Sequence, residues 1–371
     1  MNILLVTTCL NIGGAEKIVI SLADNLANKG HVVKIVYLKG EVILKPDDSN
    51  IELCYLGLES PYKLFSSLIR LYNLIKSFKP DVVHSHLLHA NILCRLLRIF
   101  CPISRLITSA HNSNEEGRLR MFAYQLTDRL TDISTNVSHE AVAAFVQQRA
   151  VPDGRMLCVY NGIDTDRFSY QNTSRYSLND ELCIPEGDKV ILAVGRLNEA
   201  KDYPNLLNAF SRVNVKNVTL LIVGDGILKP DLETLTENLS LSDKVKFLGI
   251  RHDIPELMSF ADVFVLSSAW EGFGLVVAEA MACERVVVAT DCGGVREVVG
   301  ECGYLVPPQD SELLANSISL ALNLSDDERF KLGSAARSRV VTKYSLEASV
   351  NKYLTLYSSP NERFYQVLKD D

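Results

Sequence analysis

The stretch Trp270-Glu271-Gly272-Phe273-Gly274-Leu275-Val276-Val277-Ala278-Glu279-Ala280 decides how this chain folds. Ahead of it runs Ala261-Asp262-Val263-Phe264-Val265-Leu266, an apolar run of the kind seen in strands buried on both faces; from Leu275 to Ala282 there are good helix formers and no breaker. The reading is a parallel strand, a glycine-bearing turn and a helix start. Such a start offers unpaired N–H groups and the positive end of the helix dipole, and Gly272 and Gly274 let an anion approach the backbone closely. A phosphate suits that place. Glu271 and Glu279 bracket it, about two helical turns apart at ~100° per residue. Carboxylates repel phosphate but accept hydrogen bonds from hydroxyls, so the pair suits sugar hydroxyls on either side of a diphosphate.

Outward from this stretch, apolar runs alternate with helical patterns. In the first half, 3–8, 31–38, 51–56, 81–84, 105–109 and 132–137 read as strands, with helices over 15–28, 62–77, 87–100, 118–130 and 139–148. In the second, the strands are 190–194, 218–223, 245–248, 263–266 and 286–289, with helices over 204–213, 228–238, 255–260 and 275–282. After Pro308 only helices are expected: 311–323, 326–344 and 346–357. Alternation of this kind predicts α/β domains with doubly wound parallel sheets, whose ligands bind at the carboxyl ends of the strands. Two such sheets are expected to face a central cleft. The domains are expected at 1–165 and 166–345, with the boundary among the Asn, Gly, Ser and Thr residues between Gly162 and Glu186. Residues 346–371 are then C-terminal helices.

Several strand ends carry polar residues. Gly195-Arg196-Leu197-Asn198-Glu199-Ala200-Lys201-Asp202-Tyr203 follows the first strand of the second half, and fixed cations there would stabilise a departing diphosphate. Arg offers a planar fork and Lys a point charge. Gly13 and Gly14 open the first helix, but this is neither a G-x-G-x-x-G fingerprint nor a Walker motif, so NAD and P-loop readings lack their defining residues. His111 ends a strand, as do His84 and His86, which are expected on opposite faces; a metal is not expected because no third ligand is evident. Asp164-Thr165-Asp166 imitates a metal-binding D-x-D. Val223-Gly224-Asp225-Gly226 reads as a structural turn beside the ligand.

With 371 residues, 47% hydrophobic and 22% charged, the chain is globular and long enough for two domains. Nine cysteines without a C-x-x-C pair indicate neither a disulfide framework nor a zinc knuckle, and a cytoplasmic location is expected. The N-terminus reads as a strand and no run reaches the ~18 apolar residues of a membrane span. The net charge of −7 is uneven: residues 1–167 hold 18 basic against 16 acidic side chains, and the remainder 20 against 29. Tyr62 to Lys79 combines Lys63, Arg70, Lys76 and Lys79 with a wide apolar arc and no acid. It reads first as a packed helix of the first domain and second as a helix that touches anionic lipid, with Arg95, Arg98 and Arg105 adding to the second reading.

Taken with Gly195 to Tyr203, the Glu271 to Glu279 stretch resembles the double-glutamate motif of the retaining GT-B glycosyltransferases, family 4 (glycosyl transferases group 1), of the bacterial polysaccharide type. The resemblance covers the whole chain. It implies a GT-B fold of two Rossmann-like domains, with the C-terminal helices crossing back onto the N-terminal, acceptor-binding one, for which Asn361 to Leu368 is a candidate. It implies that Glu271 holds the donor sugar, Glu279 the ribose, Arg196 and Lys201 the diphosphate, and that His111 lies beside the donor sugar. Gly13, Gly14, Gly195, Gly272, Phe273, Gly274 and Leu275 then belong to the donor site, and the base lies near Leu248-Gly249-Ile250-Arg251. Tyr160-Asn161-Gly162-Ile163-Asp164 matches a family turn at the start of the second domain. The implied partners are a nucleoside diphosphate sugar, UDP favoured, and a saccharide acceptor on a lipid diphosphate carrier in surface polysaccharide (O-antigen or capsule) synthesis. No metal or other cofactor and no nucleic acid is expected; peripheral membrane contact is. A sugar-nucleotide 2-epimerase of the same architecture and a non-catalytic nucleotide-sugar-binding subunit remain as alternatives.

Overall fold

The computed structural model describes residues 1–11, 13–113, 117–171 and 175–358. The chain divides into two compact units. The first holds Met1–Gly162 together with the segment from Leu346 onward, and the second is Ile163–Ser345.

The first unit contains β1 (Asn2–Thr7), α1 (Gly14–Asn28), β2 (Val32–Tyr37), β3 (Glu52–Tyr55), α2 (Leu64–Phe78), β4 (Val82–His86), α3 (Leu88–Leu97), β5 (Leu106–Ser109), α4 (Arg118–Thr127), β6 (Ile133–Asn136), α5 (His139–Gln147) and β7 (Met156–Cys158). The strands form one parallel sheet in the order β3-β2-β1-β4-β5-β6-β7. The reversal of direction between β1 and β4 makes a switch point, where loops leave the sheet in opposite directions and open a crevice. Alternate strand residues feed opposite faces. Leu4, Val6, Val83 and Leu106 pack with Leu71 and Ile75 of α2 and with Leu93 and Leu97 of α3. Ile3, Leu5, Val82 and Ile107 pack with Val19 and Leu22 of α1.

The second unit contains α6 (Arg175–Glu181), β8 (Lys189–Val194), α7 (Tyr203–Phe210), β9 (Val218–Val223), α8 (Lys229–Asn238), β10 (Val245–Gly249), α9 (Ile254–Phe260), β11 (Val263–Leu266), α10 (Leu275–Ala282), β12 (Val286–Thr290), α11 (Val295–Val299), β13 (Tyr304–Val306), α12 (Ser311–Leu322) and α13 (Asp326–Tyr344). Its sheet is parallel throughout, in the order β10-β9-β8-β11-β12-β13, and its switch point lies between β8 and β11. The helix α10 is apolar almost all round because α9, α11, α13, β11 and β12 cover it. It stops at Glu284, whose left-handed backbone (φ 61°) ends the turn.

The last helix, α14 (Leu346–Ser358), belongs to the first unit. Val350, Tyr353, Leu356 and Tyr357 are buried with Ile3, Leu5 and Val19, and the Arg105 guanidinium donates to the Leu356 carbonyl at 2.9 Å. Gly162 is required here, since a Cβ would sit 2.7 Å from the Leu346 Cα. Asn361 to Leu368 lies outside the described residues. The Asp164-Thr165-Asp166 triplet closes a turn, with Asp164 Oδ1 accepting from the Arg167 N–H at 2.9 Å. Four short elements were not expected. The strands β7 and β13 have three residues each at sheet edges, and α6 and α11 are of seven and five residues, too short for periodicity to mark.

Candidate functional site

In the second unit, two loops leave the sheet on either side of its switch point. After β8 the chain makes a 3₁₀ turn, Glu199–Lys201, and Asp202 reverses it into α7 with a left-handed backbone (φ 43°) while its carboxylate caps Asn205. A non-glycine residue held in that conformation marks an over-determined turn. After β11 the chain runs through Trp270 to Gly274, itself left-handed (φ 87°), into α10. The two loops meet. Lys201 Nζ forms an ion pair with Glu271 Oε1, 70 residues away. The Ser268 hydroxyl donates to the same carboxylate oxygen at 2.8 Å, and the Ser267 hydroxyl to the Lys201 carbonyl at 2.8 Å. The Ala269 N–H donates to the Ala200 carbonyl at 2.9 Å. Both charges keep some solvent contact, so the pair is neither fully desolvated nor freely screened.

Glycines let these backbones approach. A Cβ on Gly195 would lie 3.0 Å from Cε of Lys201, whose stem passes over it. Cβ atoms on Gly224 and Gly226 would meet the carbonyl oxygens of Gly195 and Leu197 at 2.0 and 2.4 Å, so the turn after β9 stacks on the Arg196 loop. A Cβ on Gly293, after β12, would meet the Glu271 carbonyl oxygen at 1.9 Å, and the Gly294 N–H donates to the Gly272 carbonyl at 3.3 Å.

The remaining expected residues of this unit separate into three groups. Arg196 is exposed beside the Lys201 turn; its carbonyl accepts from the Asn198 N–H at 2.9 Å, and its guanidinium makes no hydrogen bond or ion pair among the described residues. Glu279 is a buried carboxylate, the only charged residue in the apolar α10. Gly272, Gly274 and Leu275 form the turn and the first helical residue, whereas the Phe273 ring is buried edge-on against Tyr344 at 5.5 Å. Phe273 therefore offers a ligand only its backbone. Arg251 follows β10, two strands from β8 and so roughly 10 Å along the sheet. Its guanidinium pairs with Asp253 (2.8 and 2.5 Å) and Glu181 (2.8 Å), which hold its pKa above the ordinary value.

In the first unit, the switch-point strand β4 extends to His86. The expectation that His84 and His86 lie on opposite faces is wrong: residues two apart share a face, and their rings are 4.0 Å apart. His84 is locked by Tyr357 OH at Nδ1 and Ser109 Oγ at Nε2, each at 2.7 Å. His86 Nδ1 meets His111 Nε2 at 3.1 Å, leaving buried His111 Nδ1 and His86 Nε2 without a partner among the described residues. Burial lowers all three pKa values, His111 to about 4 and His84 to about 3, so these imidazoles are neutral near pH 7. At the β1 loop, Gly13 caps α1 in extended backbone and Gly14 is the first helical residue. The Glu16 carboxylate folds back over Gly13 and accepts from the Cys9 thiol at 3.2 Å. A carboxylate in that place favours a hydroxyl over a phosphate.

Sequence reasoning missed Ser267, Ser268 and the Cys292-Gly293-Gly294 loop. The glycine pair between a strand and a helix was the available signal, the same one that singled out Gly13 and Gly14. The serines gave none, because their role depends on Lys201 and Glu271 meeting.

The family model for glycosyl transferases group 1 matches residues 176–339, and that for glycosyltransferase family 4 matches 12–167. The chain is 30% identical to a D-inositol 3-phosphate glycosyltransferase of Corynebacterium urealyticum, over 94% of this chain and 91% of that one. It is 26% identical to a Campylobacter jejuni N-acetylgalactosamine-N,N'-diacetylbacillosaminyl-diphospho-undecaprenol 4-alpha-N-acetylgalactosaminyltransferase, over 93% and 97%. The solved structure of Anabaena Alr3699/HepE in complex with UDP superposes with a TM-score of 0.84 at 22% identity, covering 97% of this chain and all of that one. The two parallel sheets, the two family models and the full-length relatives agree: this chain is a glycosyltransferase of family 4, with the GT-B fold.

Proposed function

We propose that this enzyme moves a hexose or N-acetylhexosamine from a nucleoside diphosphate sugar, UDP-linked in the favoured reading, to a saccharide acceptor, with retention of anomeric configuration. The observation that carries the donor half is the meeting of Lys201 and Glu271 across the β8/β11 switch point, next to the left-handed glycine that opens α10. In this reading the donor diphosphate takes the Lys201 ammonium and the open guanidinium of Arg196, with helix N–H groups beyond Gly274. Glu271, released or shared, accepts from a sugar hydroxyl, and Glu279 from the ribose. Leaving-group departure builds negative charge on the diphosphate and oxocarbenium character on the sugar, and the two fixed cations lower the cost of the first. Since they supply that charge, the reaction is proposed to need no metal. The base is assigned near Arg251, at the distance two strand spacings provide.

His111, neutral at physiological pH, is proposed as a hydrogen-bond partner of a sugar hydroxyl through its open Nδ1. The Glu16 carboxylate beside Gly13 is suited to an acceptor hydroxyl. No nucleophilic carboxylate is assigned. We favour a front-face route in which the leaving phosphate oxygen takes the acceptor proton; a trapped glycosyl–enzyme adduct would refute it. The acceptor is placed on a lipid diphosphate carrier in surface polysaccharide assembly, as the name of the Campylobacter relative suggests. That brings the enzyme to a membrane surface, and among the described residues no helix is long and apolar enough to cross one.

The test is thermal stabilisation by UDP, GDP, dTDP, CMP and NAD, repeated with Arg196→Ala and with EDTA. Selective stabilisation by one nucleoside diphosphate, lost in the variant and kept in EDTA, is expected; stabilisation by NAD alone, or by none, would overturn the donor assignment.

A further inference from the structure

The three buried histidines of the first unit are not held alike. His84 is occupied at both ring nitrogens, by the Tyr357 and Ser109 hydroxyls. His86 and His111 share a single contact, Nδ1 to Nε2 at 3.1 Å, and each keeps one nitrogen, His86 Nε2 and His111 Nδ1, with no partner among the described residues. The backbone beneath both rings is pinned. Leu87, directly after His86, is held at φ 71°, a conformation that a bulky side chain adopts only where its surroundings over-determine it, and its N–H donates to the Ser109 carbonyl at 3.2 Å. On either side of His111, the Ala110 N–H donates to the Thr135 carbonyl at 2.9 Å and the Asn136 amide to the Asn112 carbonyl at 3.1 Å.

A contact between two imidazoles constrains where their protons lie. Burial keeps both rings neutral near pH 7, so each carries one N–H, and the 3.1 Å nitrogen pair needs one hydrogen between its members. Two arrangements meet that condition. When His86 Nδ1–H donates to His111 Nε2, the His111 proton sits on Nδ1 and His86 Nε2 is a bare lone pair. When His111 Nε2–H donates to His86 Nδ1, the bare nitrogen is His111 Nδ1 and the unpartnered N–H is on His86. The surroundings separate the two. His86 is fully buried, whereas His111, after the end of β5, is 8% exposed, so a ligand can approach only the His111 ring. An N–H on His86 Nε2 would stay orphaned, and buried donors are left unpaired more rarely than acceptors. The first arrangement leaves the acceptor behind and turns the donor toward the site.

We propose that His86 is a positioning residue, whose Nδ1–H donates to His111 Nε2 and so fixes His111 in the Nδ1–H tautomer, making it an N–H donor to a substrate oxygen. In the proposed reaction that oxygen is a hydroxyl of the transferred sugar, which accepts from His111 and keeps its own hydrogen for a second partner. His84, locked at both nitrogens, is the fixed wall behind His86, with the two ring centres 4.0 Å apart. The choice of ligand rests on the donor-sugar role proposed for His111; the proton arrangement stands on the geometry above.

The test is a long-range proton–nitrogen correlation spectrum of the histidine rings in the full chain near pH 7, the His111 signals being identified among those of the seven histidines by their loss in His111→Asn. Protons on His111 Nδ1 and His86 Nδ1 are expected; a proton on His111 Nε2 would overturn the proposal. His86→Leu removes the donor and should let the His111 proton redistribute between its nitrogens, whereas His86→Asn, whose amide can donate from the Nδ1 position, should keep it on Nδ1. A His111 tautomer unchanged in His86→Leu would also overturn the proposal, and the wild-type spectrum decides should that variant fail to fold. UDP-induced thermal stabilisation and turnover of UDP-glucose and UDP-N-acetylglucosamine are measured on the same preparations. With either donor that turns over, His86→Leu should lower kcat about five- to tenfold, the worth of one hydrogen bond, with KM and the UDP response unchanged and His86→Asn recovering most of the loss. An undiminished kcat in His86→Leu would refute the positioning role. An Nδ1–H His111 in a protein that ignores UDP would uphold the pairing and refute the donor assignment instead.

Discussion

At the carboxyl edge of the second sheet, Lys201 and Glu271 form a partly wetted ion pair. At the edge of the first, His84, His86 and His111 are buried, tilted against one another and neutral. The first arrangement can exchange one partner for another as charge arrives, because each ion already has a counter-ion and some water. The second resists charge, because burial penalises protonation of every ring in the cluster. In the proposed reaction the departing diphosphate is assigned to the former and neutral hydroxyls to the latter.

The contrast extends to the glycines, and the largest expected effect tests it there. Gly293→Ala forces a Cβ into the Glu271 carbonyl at a left-handed position, where only backbone can give way; a loss on the order of 2–4 kcal/mol is expected in denaturant unfolding. Gly13→Ala has extended backbone and meets only the flexible Glu16 carboxylate, so it should cost less than about 1 kcal/mol. Equal losses would erase the distinction between the two loops.

Next in size, Lys201→Ala and Arg196→Ala should each weaken UDP binding by about tenfold or more, near the ~1.4 kcal/mol of one charged hydrogen bond. His111→Asn should leave UDP binding unchanged, since UDP lacks the sugar that is transferred, while slowing transfer. Calorimetric titration of the three variants separates the edges; a loss of UDP affinity in His111→Asn would break the comparison.

Between pH 7 and 5 the buried histidines of the first unit are expected to contribute a pH dependence of stability. These histidines have depressed folded pKa values, so the unfolded chain binds more protons below the ordinary value of about 6.5. Stability is therefore full above pH 6.5 and falls as pH drops toward about 4 for His111 and about 3 for His84. Each ring contributes at most about 1.4 kcal/mol per pH unit. Unfolding midpoints measured from pH 7 to 5 should decline, and less steeply in His84→Gln; a flat profile would show the cluster to be hydrated. A further small effect is Ser268→Ala, which removes one hydrogen bond to Glu271 and should cost about 1 kcal/mol, read in the same unfolding assay.

Most of the alternation of strands and helices was legible because buried parallel strands are continuous apolar runs, such as Val263 to Leu266, and because the helices between them carry apolar periodicity. The three-residue β7 and β13 lack the length for such a signal. Among site residues, Glu271 and Lys201 announced themselves by position after a strand. Phe273 was placed in the donor site with its neighbours, but the burial of its ring against Tyr344 was not legible, because that contact joins residues 71 apart in sequence. The basic, apolar α2 was legible as amphipathic, but Arg95, Arg98 and Arg105, counted with it, are held by Thr108 and Ser134, by Asp132 and by the Leu356 carbonyl.

By itself the sequence determined which segments pack as parallel strands and helices, and that glycines and charged side chains gather where strands end, because burial and backbone freedom act over a few neighbouring residues. Only the tertiary structure decided which of those ends meet. Lys201 pairs with Glu271, 70 residues away, because β8 lies beside β11 in the sheet. His86 faces His111 because β4 lies beside β5. Strand order is a long-range property of the whole core, and no local pattern of residues encodes it.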